Sequence, residues 1–209
     1  MTMSEEDVPL FEDALRQAES KLSKVSDPTC TIKVLVSLDE HLMSAIKAVD
    51  EAAFRAELRY NEAELRDRVG RRGFVAIIAQ CAEKPLGFIY GYDDPEVEGG
   101  FYGDTLASSI EGKGVGSTIF TLMLIYCYDN GYRFFSLHTE DVDEKGRQLR
   151  RFYEAMGAEY LHTDPKDGVQ MRVRLDPQRL NENYRKFILG ERSQMDSTAS
   201  STRQYLRHL

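Results

Sequence analysis

The 209-residue sequence has no apolar run approaching the length of a membrane-spanning helix. Its first seven residues (Met-Thr-Met-Ser-Glu-Glu-Asp) are acidic and lack the apolar segment of a secretory leader. Basic residues are in deficit: 27 Lys and Arg against 35 Asp and Glu leave a net charge of −8. That balance argues against nucleic acid as the main partner, because phosphate-binding surfaces need a basic face. It is compatible with a cationic substrate, and equally with acidity that serves solubility. Cysteine is scarce. Cys30, Cys81 and Cys127 are odd in number, far apart and set in apolar contexts, so they read as free core thiols of a reducing compartment. With no leader, the expected location is the cytoplasm, with no membrane partner. The four histidines are scattered and no Cys/His spacing suggests zinc, so no metal is expected. There is no internal repeat.

What is present is a regular alternation of strand and helix patterns. Residues 5–25 carry Leu10, Phe11, Leu15, Ala18 and Leu22 at roughly helical spacing. Residues 31–36 alternate with β-branched side chains and read as a strand. Ser37 and Glu40 form a capping-box pattern ahead of a helix that reaches about Phe54. Asn61 is placed to cap a second helix through Val69. Strands follow over 74–80, 86–92 and 101–108, the first two as a hairpin. Residues 115–129 form a helix apolar over most of its surface, stopped by Asn130-Gly131. A strand over 132–139, a helix over 145–156 ended by Gly157, and a hairpin of 158–162 with 169–175 complete the pattern. Residues 177–189 suggest one more helix, and 193–203 have the composition of a linker or tail.

The organising stretch is Ile110-Glu111-Gly112-Lys113-Gly114-Val115-Gly116-Ser117, between a strand and a helix. Glycine permits positive φ and close approach of a ligand, and a helix N-terminus offers unpaired N–H groups and the positive end of a dipole. Together they suit a phosphate, although a tight turn with no ligand explains the glycines equally well. A P-loop is excluded, because Lys113 lies between glycines and no Gly-Lys-Ser/Thr follows. The G-x-G-x-x-G fingerprint is excluded because these glycines run G-x-G-x-G.

The segment 111–116 resembles the pyrophosphate loop of the GCN5-related N-acetyltransferases (GNAT), Gln/Arg-x-x-Gly-x-Gly/Ala, with Glu111 where that family prefers Gln or Arg. A second resemblance lies about 37 residues on, where Phe152-Tyr153-Glu154-Ala155-Met156-Gly157-Ala158 is similar to the family's late Phe/Leu-Tyr-x-x-x-Gly-Phe/Ala segment. The element order between them also fits. The resemblance covers roughly 145 of the 209 residues. It implies an α/β (α+β) fold with a mixed central sheet of about six to seven strands flanked by helices, here with an added helix at each end. The expected domains are an N-terminal helical extension (1–30), a GNAT domain (31–176) and a C-terminal helix with a tail (177–209).

The resemblance further implies acetyl-CoA as donor and an amine as acceptor, attacked directly in a ternary complex. The cofactor would be held by Leu106, Ala107 and Ser108 at the end of the preceding strand and by Glu111, Gly112, Lys113, Gly114, Val115, Gly116 and Ser117. Tyr153 maps onto the tyrosine that protonates the leaving thiolate. A lysine-like amine is mostly protonated at pH 7, and Asp104 is the first candidate to take its proton; Glu140, Asp141 and His138 are weaker ones. Glu57, Tyr60, Tyr90 and Tyr92 are candidates for binding the acceptor, whose identity the sequence does not reveal. A homodimer is left open. One further departure is Gly146, seven residues before Tyr153, where the family often has Asn. A non-catalytic acyl-CoA-binding module, or an interaction protein using its terminal helices, are the competing readings.

Overall fold

The computed structural model describes residues 8–25, 30–37, 39–82, 84–143, 145–165 and 168–191; the tail over 193–209 lies outside them. In chain order the elements are α1 (Phe11–Val25), β1 (Cys30–Leu35), α2 (Glu40–Ala53), a 3-10 turn (Ala56–Leu58), α3 (Glu62–Val69), β2 (Val75–Cys81), β3 (Lys84–Asp93) and β4 (Gly100–Ser108). There follow α4 (Val115–Asp129), β5 (Phe134–Thr139), α5 (Leu149–Ala155), β6 (Glu159–Asp164), β7 (Gly168–Arg174), α6 (Pro177–Asn183) and a π-helical segment (Tyr184–Leu189). The strands form one seven-stranded sheet in the order β1-β2-β3-β4-β5-β7-β6. Every neighbouring pair is antiparallel except β4 and β5, which are joined through α4. The mixed sheet flanked by helices is the expected fold.

Strand period and helix period explain the layering. Along β2, Val75, Ile77, Ala79 and Cys81 face one apolar cluster, and Ala76 and Ile78 face another. Successive side chains of a strand point to opposite faces, so a strand buried on both sides reads as a continuous apolar run. The larger cluster surrounds α4, whose Ile119, Leu122, Met123, Leu124 and Ile125 are fully buried. Ala14, Ala18 and Leu22 of α1 and Leu180 of α6 join the same cluster. Both terminal helices thus spend their apolar faces on the sheet's own core. The smaller cluster packs α2 and α3 on the other face through Met43, Ile46, Val49 and Leu65. Asn61 caps α3 in a full capping box with Glu64.

Three expectations need correction. Cys30 and Cys81 are not free thiols: they form a disulfide, and only Cys127 is free and buried. The 51-residue separation hides the fact that β1 and β2 pair in a register that puts the two residues directly opposite, with Cα atoms 4.1 Å apart. The helix expected over 145–156 starts only at Leu149. Gly146 has φ of 76°, outside the helical region, and the Asp143 carboxylate takes the N–H groups of Lys145 and Arg147 at 3.0 and 2.8 Å. The second helix starts at Glu40 with Asp39 O accepting from Met43 N at 3.0 Å, so Ser37 lies too early to cap it.

Candidate active site

Two features of β4 open a cleft. Its pairing with β5 runs only from Gly100↔Phe134 to Gly103↔Leu137. Beyond that point β4 stays paired with β3 as far as Ser108, and β5 with β7 as far as Thr139. The parallel strands therefore part after Gly103. Residues 104–108, including Leu106, Ala107 and Ser108, have no strand partner on that edge and line the gap. On the other edge the register with β3 steps from Gly91↔Gly103 to Tyr90↔Thr105, which makes Asp104 the extra residue of a bulge. A bulge re-aims its side chain and sharpens the local bend. The gap is a cleft of about 1150 Å³ that runs from Tyr60 and Tyr92 at one end, past Asp104–Ser108, to Glu111–Ser117 and Tyr153 at the other.

The glycine loop forms one end. Gly112 and Gly114 have φ of 70° and 74°, a region that glycine enters without a steric penalty. Gly114 is the N-cap of α4. The first-turn N–H groups beyond it have no intrahelical partner and carry the positive end of the dipole. No protein atom stands within 4 Å of where a Cβ would project from Gly112 or Gly116. The chain's own packing therefore does not need glycine at those two positions, and the open space over them suits a ligand's phosphates, so these residues fit a pyrophosphate-bearing cofactor. Ser117 lines the cleft, its hydroxyl donating to Gly114 O at 3.1 Å. The Thr118 hydroxyl faces the interior instead, where it donates to Gly114 O at 2.7 Å and accepts from Lys21 Nζ at 2.9 Å. Lys113 is exposed and outside the cleft lining. Glu111 lines the cleft but is ion-paired to Arg147 at 2.9 Å.

Tyr153 reaches the cleft from α5. Its ring is held edge-on by Phe152 at 5.0 Å and Phe120 at 5.4 Å. Its hydroxyl makes no hydrogen bond among the described residues, and burial pushes the phenol's pKa well above its ordinary value. The group therefore stays protonated through the physiological range, as a donor with no competing partner.

The acceptor end is built differently. Asp104, its side chain only 4 % exposed, lies 3.3 Å from Arg68 Nε as an ion pair too poorly aligned to be a hydrogen bond. It accepts from Tyr92 Oη at 2.7 Å and from Thr105 Oγ1 at 3.0 Å. Thr105 also shares a hydrogen bond with Tyr90 Oη at 3.0 Å. Arg68 lies over the Tyr60 ring at 3.6 Å, and Arg71 Nη1 donates to Tyr92 Oη at 2.5 Å. Burial, then the charge of Asp104, raises the pKa of both Tyr90 and Tyr92. Tyr102 and His138 also line the cleft, with Tyr102 Oη 3.1 Å from His138 Nδ1.

Of the four expected acceptor residues, Tyr60 and Tyr92 line the cleft; Tyr90 is 1 % exposed beneath it, and Glu57 is exposed and outside it. Glu140 is in the wall but paired to Arg55 at 3.0 Å. Sequence reasoning missed Arg68, Arg71, Asp143 and Arg147. The first two belong to a helix and turn that carry no motif; Arg147 falls within the helix expected over 145–156, and Asp143 in the acidic stretch just before it. Among the described residues no group of His, Cys, Asp and Glu could hold a metal ion, and no helix is long and apolar enough to cross a membrane.

The family model of the "Acetyltransferase (GNAT) family" matches residues 38–158, more than half of the chain. Curated proteins gave no match. Among solved structures, the ribosomal-protein-S18-alanine N-acetyltransferase from Escherichia coli is 13% identical with a TM-score of 0.57, over 71% of this chain and 95% of that one. An aminoglycoside 6′-N-acetyltransferase complexed with coenzyme A is 15% identical with a TM-score of 0.58, over 70% and 97%. The PaiA N-acetyltransferase from Thermoplasma acidophilum, in complex with coenzyme A, is 15% identical with a TM-score of 0.52, over 69% and 99%. At these identities the likeness is one of fold.

Proposed function

The chain belongs to the GNAT family of acetyltransferases, and from that premise we propose that it transfers an acetyl group from acetyl-CoA to a primary amine within a ternary complex. The observation that carries this reading is Tyr153: a half-buried phenol with no hydrogen-bond partner among the described residues, in the same cleft as the glycine loop and the parted strands. The loop 112–117 would hold the pyrophosphate by main-chain N–H groups, and the freed backbone of 106–108 would align the pantetheine arm and the acetyl carbonyl. The cofactor supplies the activated acetyl thioester. The amine nitrogen would bond to the acetyl carbon, the carbon–sulfur bond would break, and the departing thiolate would take the Tyr153 proton. The nitrogen's second proton would leave to solvent, from which the Tyr153 phenolate would regain one. The amine must first lose a proton. We assign that proton to Asp104 by way of the Tyr92 hydroxyl, which lines the cleft and already donates to Asp104. Asp94 and the exposed Glu96 on the acceptor rim favour an acceptor with more than one positive charge.

The competing reading, a non-catalytic acyl-CoA-binding module, draws on Glu111 and Gly146, the two departures from the family pattern. Release of free thiol from acetyl-CoA across a panel of mono- and polycationic amines separates the two. Tyr153→Phe keeps the ring packing and removes the acid. We expect kcat to fall roughly 10–100-fold, the lower part of the range for general acid catalysis because a thiolate leaves readily, with acetyl-CoA affinity unchanged. No thiol release with any amine by wild-type protein that binds acetyl-CoA would favour the module. Full turnover by Tyr153→Phe would remove the phenol from the chemistry.

A further inference from the structure

The loop at the cofactor end begins with an acid. Glu111 lines the cleft beside Gly112, and an uncompensated carboxylate there would oppose any phosphate. It is compensated by two residues of the turn that precedes α5. Arg147 Nη1 donates to Glu111 Oε1 at 2.9 Å, and Lys145 Nζ lies 3.8 Å from the same oxygen. The Arg147 guanidinium is fixed from behind, because its Nε is bound by Asp143, whose side chain is 3 % exposed and also accepts the N–H groups of Lys145 and Arg147. Nη2 of Arg147 has no partner among the described residues. A five-donor fork thus lines the same cleft as the α4 N-terminus, held on one edge by a buried carboxylate and open on another.

Resting on the acetyl-CoA reading above, we propose that Arg147 supplies the charged hydrogen bonds to the cofactor's pyrophosphate, and that Glu111 holds the guanidinium over the loop until the phosphates share or displace that contact. The early turn around Gly146 then has a use: it places residue 147 on the cleft wall, where a helix starting at 145 would not have an Asp143–Arg147 clamp. Glu111 acts as a positioning residue that competes with the ligand for Arg147.

Calorimetric titration of the full chain with coenzyme A, 3′-dephospho-coenzyme A and pantetheine tests this, since only the first two carry the pyrophosphate. Arg147→Gln should weaken both nucleotide ligands to the same degree, roughly 10–100-fold, the scale of one or two charge-assisted hydrogen bonds. Pantetheine affinity should not change. Adding Glu111→Gln to Arg147→Gln should recover part of the loss, because it removes a carboxylate left without its arginine. Arg147→Lys, which keeps the charge but not the fork and is the variant to use if Arg147→Gln does not fold, should bind both nucleotide ligands more weakly than wild type does. Unchanged coenzyme A affinity in these variants would overturn the proposal. So would a parallel loss of pantetheine binding, which marks a merely structural role, or a loss confined to the ligand bearing the 3′-phosphate. Wild-type protein that binds none of the three would instead remove the acetyl-CoA reading itself.

Discussion

The two ends of the cleft are made of different material. At the α4 end most of the groups that would meet a ligand are main-chain N–H donors, set by two glycines of positive φ and a helix start, with Arg147 the one side chain we propose beside them. The acceptor end is a web of side chains, in which Asp104 binds Arg68, Tyr92 and Thr105, Arg71 binds Tyr92, and Arg68 covers Tyr60. A loop built on main chain tolerates loss of its own side-chain hydroxyls but not a change of backbone conformation. One built on a buried polar web fails when any member leaves a charge behind.

The largest expected effect is therefore at Asp104. Asp104→Asn keeps the shape but leaves the Arg68 guanidinium, with a side chain 17 % exposed, without a counter-charge. Removing one partner of a buried pair costs about 3 kcal/mol or more. For a chain of this length that lowers Tm by roughly 6–12 °C, which thermal denaturation monitored by circular dichroism would register. Activity measured below that transition adds a second readout: if Asp104 receives the amine's proton, the kcat/KM deficit shrinks as pH rises and the amine deprotonates unaided. A variant with wild-type Tm would show that the web does not depend on this charge. A deficit that does not vary with pH would limit Asp104 to holding Arg68 and Tyr92.

The next effect sharpens the contrast from the other end. Gly114→Val puts a β-branched residue at φ of 74°, where such residues are strongly disfavoured. The loop must change conformation, and coenzyme A affinity should fall on the order of 100-fold, equivalent to about 2.7 kcal/mol. Ser117→Ala, which removes only a hydroxyl bonded to the helix's own carbonyl, should leave affinity within about threefold. Equal losses in the two variants, measured by calorimetry, would mean that the Ser117 hydroxyl contributes as much to holding the anion as the loop's backbone conformation does.

The same contrast decides what was legible in the sequence. Left-handed turns advertise themselves through glycine, because glycine takes the required φ without strain, so the turn at Gly112 and Gly114 could be read directly. The buried alternation of β2 and the apolar surface of α4 were legible for a similar reason, since periodicity is a local property of the chain. The acceptor web was legible only in part: Asp104, Tyr60 and Tyr92 stand out in the sequence, but neither the arginines nor the contacts that join them do. Arg68, Arg71 and Asp104 come from α3, the following turn and a bulge on β4, and nothing local announces that a one-residue register step will aim Asp104 at Arg68. Cys30 and Cys81 were misread on the same grounds: their pairing is a property of sheet register, not of their surroundings in sequence.

The smallest effect expected lies behind the acceptor end, at Asp50 of α2. The residue is 6 % exposed, and its Oδ1 has no hydrogen-bond partner among the described residues. Burial lifts its pKa from 3.8 to about 6, with the Arg59 charge pulling the other way. The sign follows from proton counting. Between those two values the folded protein keeps a proton that the unfolded chain has released, so stability falls as pH rises through the window. Below it both states are protonated and nothing is lost; above about 6 the full cost of a buried carboxylate is present. The shift would correspond to at most a few kcal/mol, and relaxation of the surrounding groups when the carboxyl ionises reduces it to about 1 kcal/mol. Asp50→Asn removes the charge and keeps the shape. It should therefore stabilise the protein by about 1 kcal/mol at pH 8 and hardly at all at pH 4. Urea denaturation at the two pH values measures the difference. A variant less stable than wild type at pH 8 would mean that the ionised carboxylate is held by the arginines around it, and that the web at this end extends one residue deeper than its hydrogen bonds indicate.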